Sequence, residues 1–138
     1  MNVVIWWRLS GSSFEDQISF LNTWLNEHTQ DAQNVLHKPV LFAEFGKSKK
    51  DGGADKRDRL YHAIYSAVYS SAKGGGAATG AVFWQLLLEG MGSYGDGYEV
   101  VFSEDPSTAN LISQESAKMI KIRKKHANLR NIRHKGRP

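Results

Sequence analysis

The chain has 138 residues, enough for one modest core, and 41% of them are hydrophobic, including four Trp, five Tyr and six Phe, which excludes a disordered composition. It has no cysteine, which excludes a disulfide framework, a thiolate nucleophile and a cysteine-ligated metal. The net charge of +4 is uneven: Lys118–Arg137 holds nine basic and no acidic residues, against nine basic and fourteen acidic before it. That basic run reads as a solvated helix end and frayed terminus, with cations well placed against a helix dipole. Its competing use is contact with nucleic acid or an acidic membrane surface. The acidic body argues against a built binding face of that kind.

No stretch approaches the roughly 20 apolar residues needed to cross a bilayer. The opening MNVVIWWRL has no basic region ahead of its short apolar run, so no signal peptide is expected in this chain. Ser12 followed by Glu15 has capping-box spacing. Phe14, Ile18, Leu21, Trp24, Leu25 and Ala32 then recur at three- and four-residue steps. That spacing predicts an amphipathic helix over 14–35, stopped at His37–Lys38–Pro39. Pro39–Glu44 reads as a buried strand that runs straight into a carboxylate. Lys47–Ala54 is a polar loop.

A second helix is expected from Asp55 through Leu60, Ile64, Val68 and Ala72, ended by Gly74–Gly75–Gly76. Thr79–Trp84 is the second strand, with Gly80 permitting close approach of a neighbour. Gln85–Asp105 is a long glycine-rich loop carrying Tyr94 and Tyr98; a loop of that length is uncommon without a reason, and binding is one such reason. Ser107 opens a last helix through Leu111, Ile112, Met119 and Ile122.

The order is therefore α-β-α-β-long loop-α. Both strands are nearly continuous apolar runs, as in parallel strands covered on two faces, and the helix between them is long enough for a crossover. Two such strands alone leave unpaired edges, so the expected fold class is α/β, as part of a larger domain. In an α/β barrel the chemistry gathers at the C-terminal strand ends. Glu44 ends the first strand, with the rigidity asked of a nucleophile or general base. Trp84–Gln85 ends the second, and an indole offers a flat apolar platform to a sugar. The plainer alternatives are a Glu44 that caps a helix or pairs with Arg, and a Trp84 in the core. Glu89, Asp96 and Glu99 read as solvated or structural loop acids, with Asp96–Gly97–Tyr98 making a turn. The five histidines show no ligand spacing, so no metal is inferred. The glycine triplet follows a helix where a phosphate loop precedes one, so no nucleotide is inferred.

Three stretches carry a resemblance: FLNTWLNEHTQDAQNVLHKPVLFAEFGKS at 20–48, VFWQLLLEGMGSYGDGYEVVFSEDPSTA at 82–109 and QESAKMIKIRK at 114–124. Residues 14–131 resemble the C-terminal part of a plant endo-β-1,4-mannanase of glycoside hydrolase family 5. The resemblance implies strands seven and eight of a (β/α)₈ barrel that hydrolyses β-mannan with retention, without a cofactor, in an extracellular or cell-wall setting. It implies Glu44 as the nucleophile and Trp84 as the sugar-stacking residue, with Tyr94 and Tyr98 as candidates to line the groove.

The family's acid/base lies on an Asn-Glu step after strand four. Here Asn26–Glu27 falls inside the first helix, on a polar face. Residues 1–13 diverge from the family, with Trp6 and Trp7 but no histidine, and residues 132–138 form a basic tail. With one carboxyl group of the pair, this chain alone is expected to be inactive. The alternative is a non-catalytic remnant that self-associates through exposed barrel edges.

Overall fold

The computed structural model describes residues 11–135, with side chains as far as Lys124. Trp6, Trp7, the side chains of His126 and His134, and residues 136–138 lie outside the described residues. The elements in order are α1 (Phe14–Asn34), β1 (Val40–Phe45), α2 (Gly53–Lys73), β2 (Ala78–Phe83), a 3₁₀ turn (Gly92–Tyr94) and α3 (Pro106–Lys135). This is a mixed helix–strand fold with a two-stranded parallel sheet, consistent with a partial α/β domain. No helix among the described residues is long and apolar enough to cross a membrane.

The box that opens α1 sits one residue later than expected. Ser13, not Ser12, accepts the Asp16 N–H at 3.1 Å, and the Asp16 carboxylate accepts from the Ser13 N–H and hydroxyl at 3.3 and 2.7 Å. Two adjacent serines and two adjacent acids offer the same spacing twice. The later choice puts Phe14 at the first helical position, where it is buried. At the other end the Val35 and Leu36 N–H groups both donate to Asp31 O, and His37 takes a left-handed φ of 52° that turns the chain toward β1. The second helix begins at Gly53, two residues before the expected Asp55, behind Gly52 with φ 91°.

Strands β1 and β2 run parallel, with Phe42 opposite Ala81 and Phe45 opposite Phe83. The Val40 N–H donates to Ala77 O at 2.8 Å and the Trp84 N–H to Phe45 O at 2.6 Å. Helix α2 packs on β2 and touches both other helices. Its Tyr61, Ile64 and Val68 meet Leu21 and Leu25 of α1 and Phe42 and Phe45 of β1 in one core. The Tyr61 ring lies 4.9 Å from Phe45 and 5.8 Å from Phe83, a tilted and edge-on arrangement that aromatic quadrupoles favour.

The described residues cover one face of the sheet, and cover of the second face is expected from the larger domain. Residues of all three helices enter the core that holds Phe42 and Phe45, whereas Leu41 and Val82 on the other face are each 49% exposed. A continuous apolar run does not reveal which face has a partner. Leu41 and Gly80 sit opposite each other, and a Cβ at Gly80 would come within 2.8 Å of Leu41 Cδ1. That glycine therefore serves close contact on the open face.

Candidate active site

Strand alternation decides which way Glu44 and Trp84 face. Phe45 and Phe83 are register partners and both pack on Tyr61 of α2. Glu44 precedes Phe45 and Trp84 follows Phe83, so both side chains leave the sheet on the face opposite the helices. Between the Phe42 and Phe45 rungs, β1 advances three residues while β2 advances two. The extra residue of β1 lets two phenylalanines three positions apart enter the same core, a bulge in the sense that often accompanies active sites. Glu44 and Trp84 thus stand at the C-terminal ends of neighbouring parallel strands, on one face.

The two residues differ in their surroundings. Glu44 is half-buried, and its carboxylate has no hydrogen-bond or ion-pair partner among the described residues. It caps no helix and pairs with no arginine there. Trp84 is 45% exposed, so it is not a core residue. Its indole N–H donates to Asp96 Oδ2 at 2.6 Å. The peptide bond from Trp84 to Gln85 is cis, and the Gln85 side-chain amide donates to Tyr94 O at 3.3 Å.

The long loop is a built structure. Asp96–Gly97–Tyr98 forms the expected turn: Asp96 Oδ1 accepts the Tyr98 N–H at 2.9 Å, and Gly97 has φ 95°. The Glu99 carboxylate closes it by accepting the Gly97 N–H at 2.6 Å, so Glu99 has a structural task. Lower down, the Val100 N–H donates to Gln85 O and the Leu87 N–H to Val100 O, which ties the two ends of the loop together. Tyr94 is 70% exposed at the tip, Tyr98 is half-buried, and Glu89 is exposed. The structure therefore brings Glu44 and Trp84 to one face and holds the Tyr94–Tyr98 segment against Trp84 through Asp96.

An ion cluster anchors this loop to α2. Arg57 is fully buried, its Nη2 lies 2.7 Å from Asp105 Oδ1, and its Nη1 donates to Glu99 O at 3.2 Å. Lys49 donates to the same Asp105 oxygen at 2.9 Å, and the Val101 N–H to the other. Burial pushes the Asp105 carboxyl up, but the hydrogen bonds from Lys49, Val101 and Arg57 outweigh it and hold it below the usual carboxylate range. Burial likewise raises Asp96, and the hydrogen bonds from Trp84, Tyr98 and Gln85 bring it below the ordinary value. Among the described residues no group of three His, Asp or Glu side chains could hold a metal ion.

Sequence patterns missed the partner of Trp84. Asp96 lies twelve positions away across the loop, a pairing that no local spacing rule supplies. Arg57 was also missed. Its place one turn before Leu60 and Tyr61 on the buried stripe of α2 is the signal that could have found it.

No family model matches the chain. It is similar to mannan endo-1,4-beta-mannosidase 7 of Arabidopsis thaliana, with 51% identity over 123 residues, covering 88% of this chain and 28% of that protein. Mannan endo-1,4-beta-mannosidase 1 of Oryza sativa subsp. japonica is 49% identical over 134 residues, covering 94% of this chain and 31% of that protein. Mannan endo-1,4-beta-mannosidase 5 of Solanum lycopersicum is 44% identical over 113 residues, covering 80% and 27%. The chain thus spans under a third of the length of the curated relatives it matches, which a C-terminal fragment of such a protein fits.

Proposed function

We propose that this chain is the nucleophile-bearing part of a retaining mannan endo-1,4-β-mannosidase, with β1 and β2 as strands seven and eight of a (β/α)₈ barrel. The observation that carries this is the common face and common strand end of Glu44 and Trp84, set by the Phe45–Phe83 rung. The 41–51% identity with plant mannan endo-1,4-beta-mannosidases supports it independently.

In the proposed reaction the Glu44 carboxylate attacks the anomeric carbon as its bond to the departing sugar oxygen breaks. A second carboxyl group, about 5–5.5 Å away, protonates that oxygen and later takes a proton from the water that releases the glycosyl group. Trp84 stacks on a sugar face, and Tyr94 and Tyr98 border the groove. The second carboxyl group belongs to a part of the barrel that these residues do not supply. The 138-residue chain by itself therefore does not turn over mannan. By the same kinship its setting is extracellular or cell-wall.

A chimera tests the assignment: residues 14–131 replace the matching portion of the Arabidopsis relative, and release of reducing ends from soluble mannan is measured. The chimera is expected to be active, with Glu44→Gln lowering turnover on the order of 10⁴-fold or more. An active chimera indifferent to Glu44→Gln rejects the nucleophile. Turnover by the isolated chain rejects its inactivity.

A second reading concerns the lone chain and rests on the half-exposed Leu41 and Val82 beside two strand edges that are unpaired among the described residues. Such edges template further pairing, so the isolated chain self-associates without catalysing. Light scattering after size exclusion that gives a monomer at all concentrations would reject this.

A further inference from the structure

We infer that Asp96 is a positioning residue for Trp84: its carboxylate fixes the indole in the orientation in which the ring receives a sugar. The inference deepens the mannan reading and takes its functional meaning from it. An aromatic platform works only if its face is held still, and Trp84, just past the end of β2 and 45% exposed, has one hydrogen-bonding group with which to be held. That group donates to Asp96 Oδ2 at 2.6 Å. A bond to an ionised acceptor is shorter and stronger than one between neutral groups.

The acceptor is itself immobilised. Its other oxygen accepts the Tyr98 N–H at 2.9 Å, Gly97 supplies the left-handed turn that follows, and Glu99 closes that turn through the Gly97 N–H. A second tie runs beside the first, from the Gln85 amide to Tyr94 O. Two consecutive residues at the end of β2 are thus strapped to the same loop tip. A ring locked before the ligand arrives loses no freedom on binding, which is the physical source of preorganised affinity. The lowered titration of Asp96 keeps the acceptor charged down to mildly acidic conditions.

The test follows the Trp84 indole N–H resonance in the full 138-residue chain, identified by its loss in Trp84→Phe. In Asp96→Ala this proton is expected to exchange with water at least about tenfold faster, as a lost charge-assisted hydrogen bond requires. Asp96→Asn, which keeps an oxygen acceptor, is expected to fall between Asp96→Ala and the parent. Unchanged exchange in Asp96→Ala overturns the inference. A role confined to loop stability would lower the melting temperature of Asp96→Ala and leave the Trp84 proton as it was, which also overturns it. Mannohexaose is then titrated against the same resonance, and Asp96→Ala is expected to weaken its binding about tenfold. Equal binding in both proteins keeps the mannan reading and rejects positioning. A Trp84 signal that depends on Asp96 but ignores mannohexaose keeps the positioning contact and rejects the sugar platform.

Discussion

The Arg57 guanidinium on α2 and the Asp105 carboxylate just ahead of α3 meet at 2.7 Å, with 0% and 3% of their side chains exposed. Among the described residues Arg57 Nε has no hydrogen-bond partner, so the pair is buried without every donor satisfied. Removing Asp105 strands the Arg57 charge in the core, whereas removing Arg57 leaves Asp105 paired with Lys49. Asp105→Ala is therefore expected to cost about 3–5 kcal/mol in urea unfolding, and Arg57→Ala less. Arg57→Met combined with Asp105→Leu is expected to cost less than the two single losses summed. Single losses under about 1 kcal/mol would mean that water reaches the pair.

The same carboxylate sets an acid limit. The folded-state pKa of Asp105 is depressed below the 3.8 of an unperturbed group. Its contribution to stability is complete above that unfolded value and is lost as pH falls through the lower folded value. Stability measured from pH 7 downward is expected to hold level to about pH 5 and then fall. The Asp105→Asn protein is expected to start lower and to fall less steeply.

An opposite limit comes from two phenols. Burial is the main cause that raises Tyr65 to about 12 and Tyr61 further still. Both fold as neutral groups, so their contribution is complete below the ordinary value of 10.0 and is lost as pH rises beyond it. In an alkaline titration followed at the tyrosinate absorbance, two of the five tyrosines are expected to lag until the chain unfolds.

Tyr61 also carries a buried hydroxyl without a hydrogen-bond partner among the described residues. Tyr61→Phe keeps the ring contacts with Phe45 and Phe83 and removes the unpaired group. It is expected to raise stability by about 1 kcal/mol in urea. A loss of stability would show that the hydroxyl has a partner in solution.

Gly97 is buried at φ 95°, and a Cβ there would come within 3.1 Å of Ser48 Oγ. Gly97→Ala is expected to cost about 1–2 kcal/mol, the penalty for a left-handed L-residue. It should also disturb the turn that holds Asp96.

Most elements were legible because their signals are local. The 14–35 periodicity finds α1, and the glycine triplet finds the end of α2. Each strand lies one residue from its expected place, since Phe45 and Ala78 extend the pairing by backbone bonds that side-chain types do not encode. The capping residue slipped by one because Ser12 and Ser13 compete on equal terms. Glu44 and Trp84 stood out as polar and aromatic punctuation at strand ends. Their shared face did not, because it depends on an extra residue in β1 and on which side α2 packs. The Arg57–Asp105 pair joins the start of α2 to the residue ahead of α3, and long-range pairing of that kind leaves no periodic trace.

The face of the sheet that the described residues leave open divides the strands into alternating zones of mutational tolerance. In a saturation scan of this chain alone, positions 41 and 82 should accept Thr, Ser or Lys, because half of each side chain already meets water. Positions 42, 45 and 83 should accept little beyond large apolar residues, because those side chains enter the helix-covered core. Such a scan would read as a comb, with one-residue steps along β2 and a two-residue gap between positions 42 and 45 of β1. If the scan were repeated within a full-length relative, any gap that closed would identify a residue that the rest of the molecule packs against.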